Sequence, residues 1–545
     1  MQIDEQVREA APSGATAVLD EAHVGDIRGA LGTIREHDLR GRRTWRQRLL
    51  ALAAIMGPGL IVMVGDNDAG GVSTYAQAGQ NFGTTLLWTL VLLIPVLIVN
   101  QEMVVRLGAV TGVGHARLIF ERFGKFWGFF SVIDLFLLNF LTITTEFIGI
   151  SLGASYFGLN PYIAVPLAAA LLIAITVSGS FERWERAMFL FIVTSLLVIP
   201  FVIFTHPDWG GSLHDAVVPG IRGGVTSTAV LLIIAVVGTT VAPWQLFFQQ
   251  SNVIDKRITP RWIAYERADT IIGAFVVVIG AAAIMIATAS ALNGTRDAGA
   301  FTDALGVAQA IARHVSSVAA SIFAVVLIDA SIIGASAVTL ATSYAFGDVF
   351  GIRHSLHRSW REAKSFYASY AALVALAAGI VLIPSAPLGL ITTAVQALAG
   401  ILLPSASLFL LLLCNDPAVL GPWVNRPWLN AVASLILGLL LVLSLILVTT
   451  TIFPQINVAV LLVVLVVILL AGLVVLGLTA RGGGSPSRQR IDRQARETWR
   501  MPPIALLTRP PRSHARHIAL VALSSYLVVA VLMLLVKAVQ VATGH

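Results

Sequence analysis

The sequence predicts an all-α polytopic membrane protein: two inverted five-helix repeats followed by accessory helices. Three observations predict it. The 545 residues are 57% hydrophobic and only 12% charged, with a mean hydropathy of +0.84, whereas soluble domains carry about 25% charged residues. Thirteen apolar runs are each long enough to cross a bilayer core, which takes about 20 helical residues. Two of these runs are interrupted by glycine, proline and small polar residues at corresponding places in the two halves.

The first repeat is expected to hold runs 50–78, 84–111, 126–153, 160–180 and 184–205, and the second 226–252, 268–293, 316–347, 366–386 and 388–413. An odd number of spans per repeat inverts the second copy in the membrane. Runs 428–451, 456–478 and 517–541 are accessory. The expected organisation is therefore a polar tail over 1–49 and a core over 50–413, whose halves are about 50–205 and 226–413. Accessory helices over 414–479, a basic linker over 480–516 and a final helix over 517–545 follow. The Arg-rich tail leads straight into the first run, so no cleavable signal peptide is expected.

The net charge is +7, but the basic residues are distributed as topology signals and not as a nucleic-acid footprint. All of the 36 Lys and Arg residues except Arg222, Arg296, Arg313 and Lys537 fall on one side of this layout. That bias implies a cytoplasmic N-terminus in the cell (inner) membrane. Cys414 is the single cysteine, which excludes an internal disulfide. No Cys/His cluster, Ser/His/Asp set or phosphate loop appears, so neither an enzyme nor a cofactor is expected.

The first break runs from Gly57-Pro58-Gly59 to Gly65-Asp66-Asn67-Asp68-Ala69-Gly70-Gly71, and the second is Gly238-Thr239-Thr240-Val241-Ala242-Pro243-Trp244-Gln245. Paired interrupted helices mark the substrate site of a transporter, because unwound carbonyls can coordinate a cation. Such backbone survives at membrane depth only where it is buried in protein or lines a cavity. An ionised Asp at mid-span costs about 2.5–3.5 kcal/mol, which makes Asp68 a functional candidate. The competing account is an acid capped by nearby backbone N–H groups. Asp66 is open between the two roles. So is Asp329, in Ile328-Asp329-Ala330-Ser331, which either lines the path or is structural. Asp134 belongs to an inner vestibule or a helix pair. Met63 reads as core, and Glu102 with Arg106 as an i,i+4 ion pair.

Further motifs carry a resemblance. Gly57-Pro58-Gly59, Asp68-Ala69-Gly70-Gly71, Gln77-Ala78-Gly79, Phe82-Gly83, Leu87-Trp88 and Arg106-Leu107-Gly108-Ala109-Val110-Thr111-Gly112 resemble the opening of the natural resistance-associated macrophage protein (NRAMP) family. The resemblance covers roughly residues 50–413 and implies the LeuT-type fold, with broken helices 1 and 6 and transport of divalent metal by alternating access. It implies a metal site of Asp68, Gln396 and backbone oxygen near Gly71 and Thr239, with Ala242 at the place of the family's sulfur ligand; Asp66 joins the candidate metal site by its own position in the unwound segment. Gln396 is followed by Pro404, as in the family's tenth span.

The departures narrow the expectation. Gly71 replaces the family's Asn, and Ala242 its Met. A thioether favours soft transition metals, whereas Mg²⁺ keeps several waters and is held by one or two carboxylates. The combination is similar to the NRAMP-related magnesium-transporter branch, with Mg²⁺ favoured and Mn²⁺ possible. Trp244 replaces the family's His, and Ile143 stands where its first third-span acid would be. Glu146 matches the second acid, and run 366–384 has no Arg or Lys. Metal flux uncoupled from protons is therefore expected, with Glu146, Trp244 and Asp329 assigned to gating or the pathway. A neutral Glu146 bonded to Thr145 or Thr142 is the structural alternative. The other functional readings are a proton-coupled Mn²⁺/Fe²⁺ symporter and a LeuT-type organic solute carrier, the latter disfavoured because Asp66 and Asp68 repel a carboxylate.

Overall fold

The computed structural model describes residues 21–38, 41–384, 388–453, 455–482 and 493–507, together with 516, 520–526 and 528. The tail, expected only to be polar, forms an antiparallel hairpin of β1 (Ile27–Gly29) and β2 (Gly32–Ile34), which pairs Ile27 with Ile34. Ile27 and Ile34 are buried, and the hairpin packs on α1 (Trp45–Ile55). Thr44 and Gln47 start α1 with a reciprocal capping box.

Gly57 then turns the chain at a φ of 155°, in a region side chains avoid. Pro58 opens α2 (Pro58–Val64), which leaves α1 at an angle of 57°. The segment 65–68 separates α2 from α3 (Ala69–Phe82). The rest of the first half is α4 (Leu87–Thr111), α5 (His115–Phe123), α6 (Lys125–Tyr156), α7 (Pro161–Thr176), α8 (Phe181–Ser195), α9 (Val198–Phe204) and α10 (Trp209–Val217).

The second half opens with α11 (Ser227–Thr240) and α12 (Pro243–Asp255), separated only by Val241 and Ala242. It continues through α13 (Ile263–Leu292), α14 (Ala304–His314), α15 (Ser317–Phe350), α16 (Lys364–Val381) and α17 (Leu388–Cys414). The accessory elements are α18 (Pro417–Leu420), α19 (Pro427–Ile452), α20 (Val458–Gly482) and α21 (Arg493–Thr498).

Among the described residues nine helices are long and apolar enough to cross a membrane, or ten if α1 and α2 form one bent span. Runs 160–180 and 456–478 correspond to α7 and α20, of which Pro161–Thr176 and Val458–Val474 are shorter apolar stretches. Most of the thirteenth run lies outside the described residues, as does much of the basic linker. The fold is the LeuT-type inverted repeat that the sequence predicts.

Burial shows which helices form the centre. Protein covers 89% of the apolar window in α11–α12, but only 17% of that in α8–α9. The second broken helix is thus the axis of the bundle, while α8–α9 presents its apolar surface outward, where lipid replaces water. The first broken helix lies beside it: α3 packs on α13, α11, α6 and α17, and α2 on α13. Gly238 permits the close approach of α11 to α17, because a Cβ there would strike the backbone of Gln396 and Gly400.

Candidate metal-transport site

The two breaks meet. Asp68 adopts an extended conformation as the N-cap of α3, and its Oδ1 accepts the Gly71 N–H at 2.7 Å. The local cap weighed as an alternative is therefore present, and it orients the carboxyl at the break. A Cβ on Gly71 would sit 2.9 Å from the Asp66 carbonyl oxygen and 3.4 Å from Thr239 Oγ1. That contact joins the first break to the second. It also shows that glycine at 71 opens only a narrow space.

Gln396 comes from α17 and lies directly over Gly70, where its amide would collide with any Cβ. Its Nε2 has no hydrogen-bond partner, and Thr239 Oγ1 has none either. Asp66 is completely buried, and neither of its carboxyl oxygens has a partner. Asp68 and Gln245 are its electrostatic neighbours. The Gln245 Oε1 accepts from Gln101 Nε2 at 3.2 Å, and its own Nε2 is unpartnered. Tyr75 OH and Thr240 Oγ1 lie 2.8 Å apart and tie α3 to the end of α11.

Ala242 is extended, with φ −92° and ψ 145°, and Pro243 starts α12 at once. No sulfur compensates for alanine here through Met63, which is buried against Gly273 of α13. Trp244 is buried, has no partner for Nε1, and stacks edge-on with Phe248.

Glu146 differs from the sequence alternative. Thr142 and Thr145 bond back to Leu138 and Thr142 carbonyls. Glu146 Oε2 instead accepts the Ala69 N–H at 3.0 Å. The expected threonine partner is thus wrong, because both hydroxyls satisfy their own helix. Gly334 of α15 closes this corner: its Cβ would stand 2.7 Å from both Asp68 Cβ and Glu146 Oε2. Asp329, one and a half turns earlier on α15, is buried with both oxygens unpartnered, and among the described residues no hydrogen bond joins it to Asp68. Asp134 accepts from Ser405 at 3.3 Å in a small cavity that Pro243 and Phe247 also line.

Sequence reasoning missed Gly334, Gln245 and Asp269. Asp269 accepts three backbone N–H groups, from Gly57 (3.0 Å), Gly59 (2.8 Å) and Leu60 (3.2 Å), and so caps α2 from another helix. A cap supplied 210 residues away along the chain leaves no local motif. The Glu102–Arg106 pair is present at 3.1 Å.

A buried cluster of oxygen-bearing side chains at two facing helix breaks, inside a LeuT-type bundle, is the architecture of a membrane transporter. The chain belongs to the natural resistance-associated macrophage protein-like (Nramp) family, whose model matches residues 59–450, and is a divalent metal cation transporter. It is 26% identical over 415 residues to the divalent metal cation transporter MntH of Ralstonia nicotianae, covering 73% of this chain and 91% of that protein. MntH 1 of Pseudomonas aeruginosa is 26% identical over 411 residues, covering 72% and 90% respectively. A crystal structure of the Eremococcus coleocola manganese transporter, in complex with an aromatic bis-isothiourea substituted compound, superposes with a TM-score of 0.62. Identity is 20%, and the match covers 81% of this chain and 96% of that one.

Proposed function

We propose that this transporter carries Mg²⁺, with Mn²⁺ as a second substrate, by alternating access and without moving protons. The observation that carries the reading is the donor set at the break. Asp68 and Asp66 carboxylates and the Thr239 hydroxyl offer oxygen, the Gln396 amide adds one when its oxygen rather than its Nε2 faces the break, and the sulfur position is Ala242. Oxygen donors and retained water suit a hard cation. Asp68 is the principal ligand in this reading, and carbonyls near Gly71 and Thr239 complete the shell.

Trp244 carries no exchangeable proton near neutral pH, and α16 has no basic residue after Lys364. The membrane potential alone supplies about 4.6 kcal/mol per 100 mV to a divalent ion, twice the single-charge value. The distribution of Lys and Arg supports a cytoplasmic N-terminus in the cell membrane. In this reading Glu146, Trp244 and Asp329 belong to the gating path.

Calorimetric titration of the purified protein with Mg²⁺, Mn²⁺ and Cd²⁺ tests the selectivity, alongside the Ala242→Met variant. Mg²⁺ binding in the wild type and a gain of Cd²⁺ affinity in the variant are expected. Tight Cd²⁺ binding with no Mg²⁺ heat in the wild type contradicts the reading. A proton-coupled Mn²⁺ carrier is the second reading, favoured by the unpartnered carboxyl of Asp66 beside Asp68. Luminal acidification during metal entry into liposomes decides for it.

A further inference from the structure

The tail hairpin covers an ion pair at the bend between α1 and α2. Glu185 of α8 and Lys256, just after α12, pair at 2.6 Å with both side chains fully buried. Lys256 Nζ also donates to the Met56 carbonyl at 2.7 Å. Gly57 stands against the pair, since a Cβ there would collide with Glu185 Oε1 and lie 2.8 Å from Lys256 Nζ. One lysine–glutamate contact thus pins the bend of the first broken helix to α8 and α12.

The hairpin completes the pin. Its turn, Ala30-Leu31, lies between the paired Gly29 and Gly32. The Ala30 N–H donates to Glu185 Oε2 at 2.5 Å, so each carboxyl oxygen has a donor. Gly29 closes over the lysine: a Cβ there would strike the Ala54 carbonyl and stand 3.0 Å from Lys256 Nζ. Toward α1 the hairpin is apolar, with Ile27 and Ile34 buried and Gly32 against Ala54. Toward the end of α12 it is polar. Arg257 donates from Nε to the Ala22 carbonyl at 3.0 Å and from its guanidinium to the Asp26 carbonyl at 3.4 Å. Water can replace these polar bonds, whereas it drives the apolar face onto α1.

We infer that the hairpin is a lid on the Glu185–Lys256 pin. Seated, it keeps the pair dry and holds the half-helix α1–α2 against α8 and α12. Lifted, it takes one donor from Glu185 and admits water, and a solvated pair contributes little. The half-helix is then free to leave. What that movement accomplishes rests on the alternating-access reading.

Alkylation of a reporter thiol in the full-length protein in detergent tests the inference. Thr270 of α13 is 1% exposed, and a Cβ at Gly59 of α2 would stand 2.7 Å from its backbone nitrogen. Thr270→Cys therefore places a thiol that reagent reaches only when the half-helix leaves. The native Cys414 is buried elsewhere, against the Met103 carbonyl, and reports general unfolding. Ala30→Pro removes the N–H given to Glu185 and suits the turn, because Ala30 is not among the described residues with positive φ. In the T270C background it is expected to raise alkylation at 270 about tenfold or more, the effect of losing one hydrogen bond to a charged group. Cys414 should stay protected. Gly29→Ala, which lifts the hairpin off Ala54, should act alike. An unchanged rate at 270 in either variant, or Cys414 reacting in step, overturns the inference. Added Mn²⁺ separates the lid from the transport reading. A rate at 270 that rises in Ala30→Pro yet ignores Mn²⁺ keeps the lid and removes alternating access. A rate that responds to Mn²⁺ but not to Ala30→Pro removes the lid alone.

Discussion

Glu146 on the third span accepts the backbone N–H of Ala69 at 3.0 Å, so its carboxyl is fastened to the break in the first span. This bond holds the first turn of α3, which presents Asp68. An acceptor, not a negative charge, is what the geometry demands. Glu146→Gln is therefore expected to keep metal affinity within about threefold, since an amide oxygen can replace Oε2. Glu146→Ala removes an acceptor worth roughly 1.5–3 kcal/mol and lowers affinity about tenfold to a hundredfold. Titration calorimetry on both variants checks this, and equal losses would show that the charge matters.

Gly334 packs against the same corner. Its substitution by alanine forces a Cβ to within 2.7 Å of Asp68 Cβ and Glu146 Oε2. Overpacking of this kind costs about 1–3 kcal/mol, and a lower melting temperature with weaker metal binding is expected. Gly379 on α16 has open space around it, with nothing within 4 Å of the position a Cβ would take. Gly379→Ala is the control and should be neutral or stabilising by about 0.5–1 kcal/mol.

Asp269 caps α2 with three bonds, and Asp269→Ala leaves three backbone donors without that acceptor. A loss of about 1–3 kcal/mol is expected. Hydrogen exchange should rise first at Gly57, Gly59 and Leu60. Uniform protection across these amides would contradict the assignment of Asp269 as the cap.

His354 lies in the connection after α15, 3.2 Å from Asp348. Burial opposes its charge, but Asp348, the Ile352 carbonyl and the charge of Asp255 together outweigh burial and raise the His354 pKa to about 9. A raised folded-state value contributes stability that is complete below the ordinary histidine value near 6.5 and is lost as pH climbs through 9. His354→Gln should thus lower the melting temperature at pH 6 and converge with wild type near pH 10. A constant difference across that range would exclude the ion pair as the cause.

The broken helices and their spans were legible because glycine, proline and intramembrane acids leave strong marks on an apolar background. Asp68 could be selected on that basis, and Gly71, Thr239 and Gln396 through the family resemblance; the structure draws the four to one junction. The partners of these residues were not legible. Asp269 reaches Gly59 across 210 residues. Gly334 is one small residue among many on α15, and only the packing of three helices gives it a role. The threonines beside Glu146 looked like partners by proximity in sequence, but a hydroxyl in a helix readily returns to the carbonyl three or four residues earlier. The tail hairpin escaped notice because two three-residue strands carry almost no period.

The central claim is that Asp68 carries a hard divalent ion across the membrane without a proton. The most direct measurement is simultaneous recording of a Mg²⁺ dye and a pH dye inside proteoliposomes held at a fixed inside-negative potential. Mg²⁺ entry that leaves luminal pH unchanged and disappears in Asp68→Asn is the expected result. Acidification in step with entry, or undiminished flux in Asp68→Asn, would contradict it.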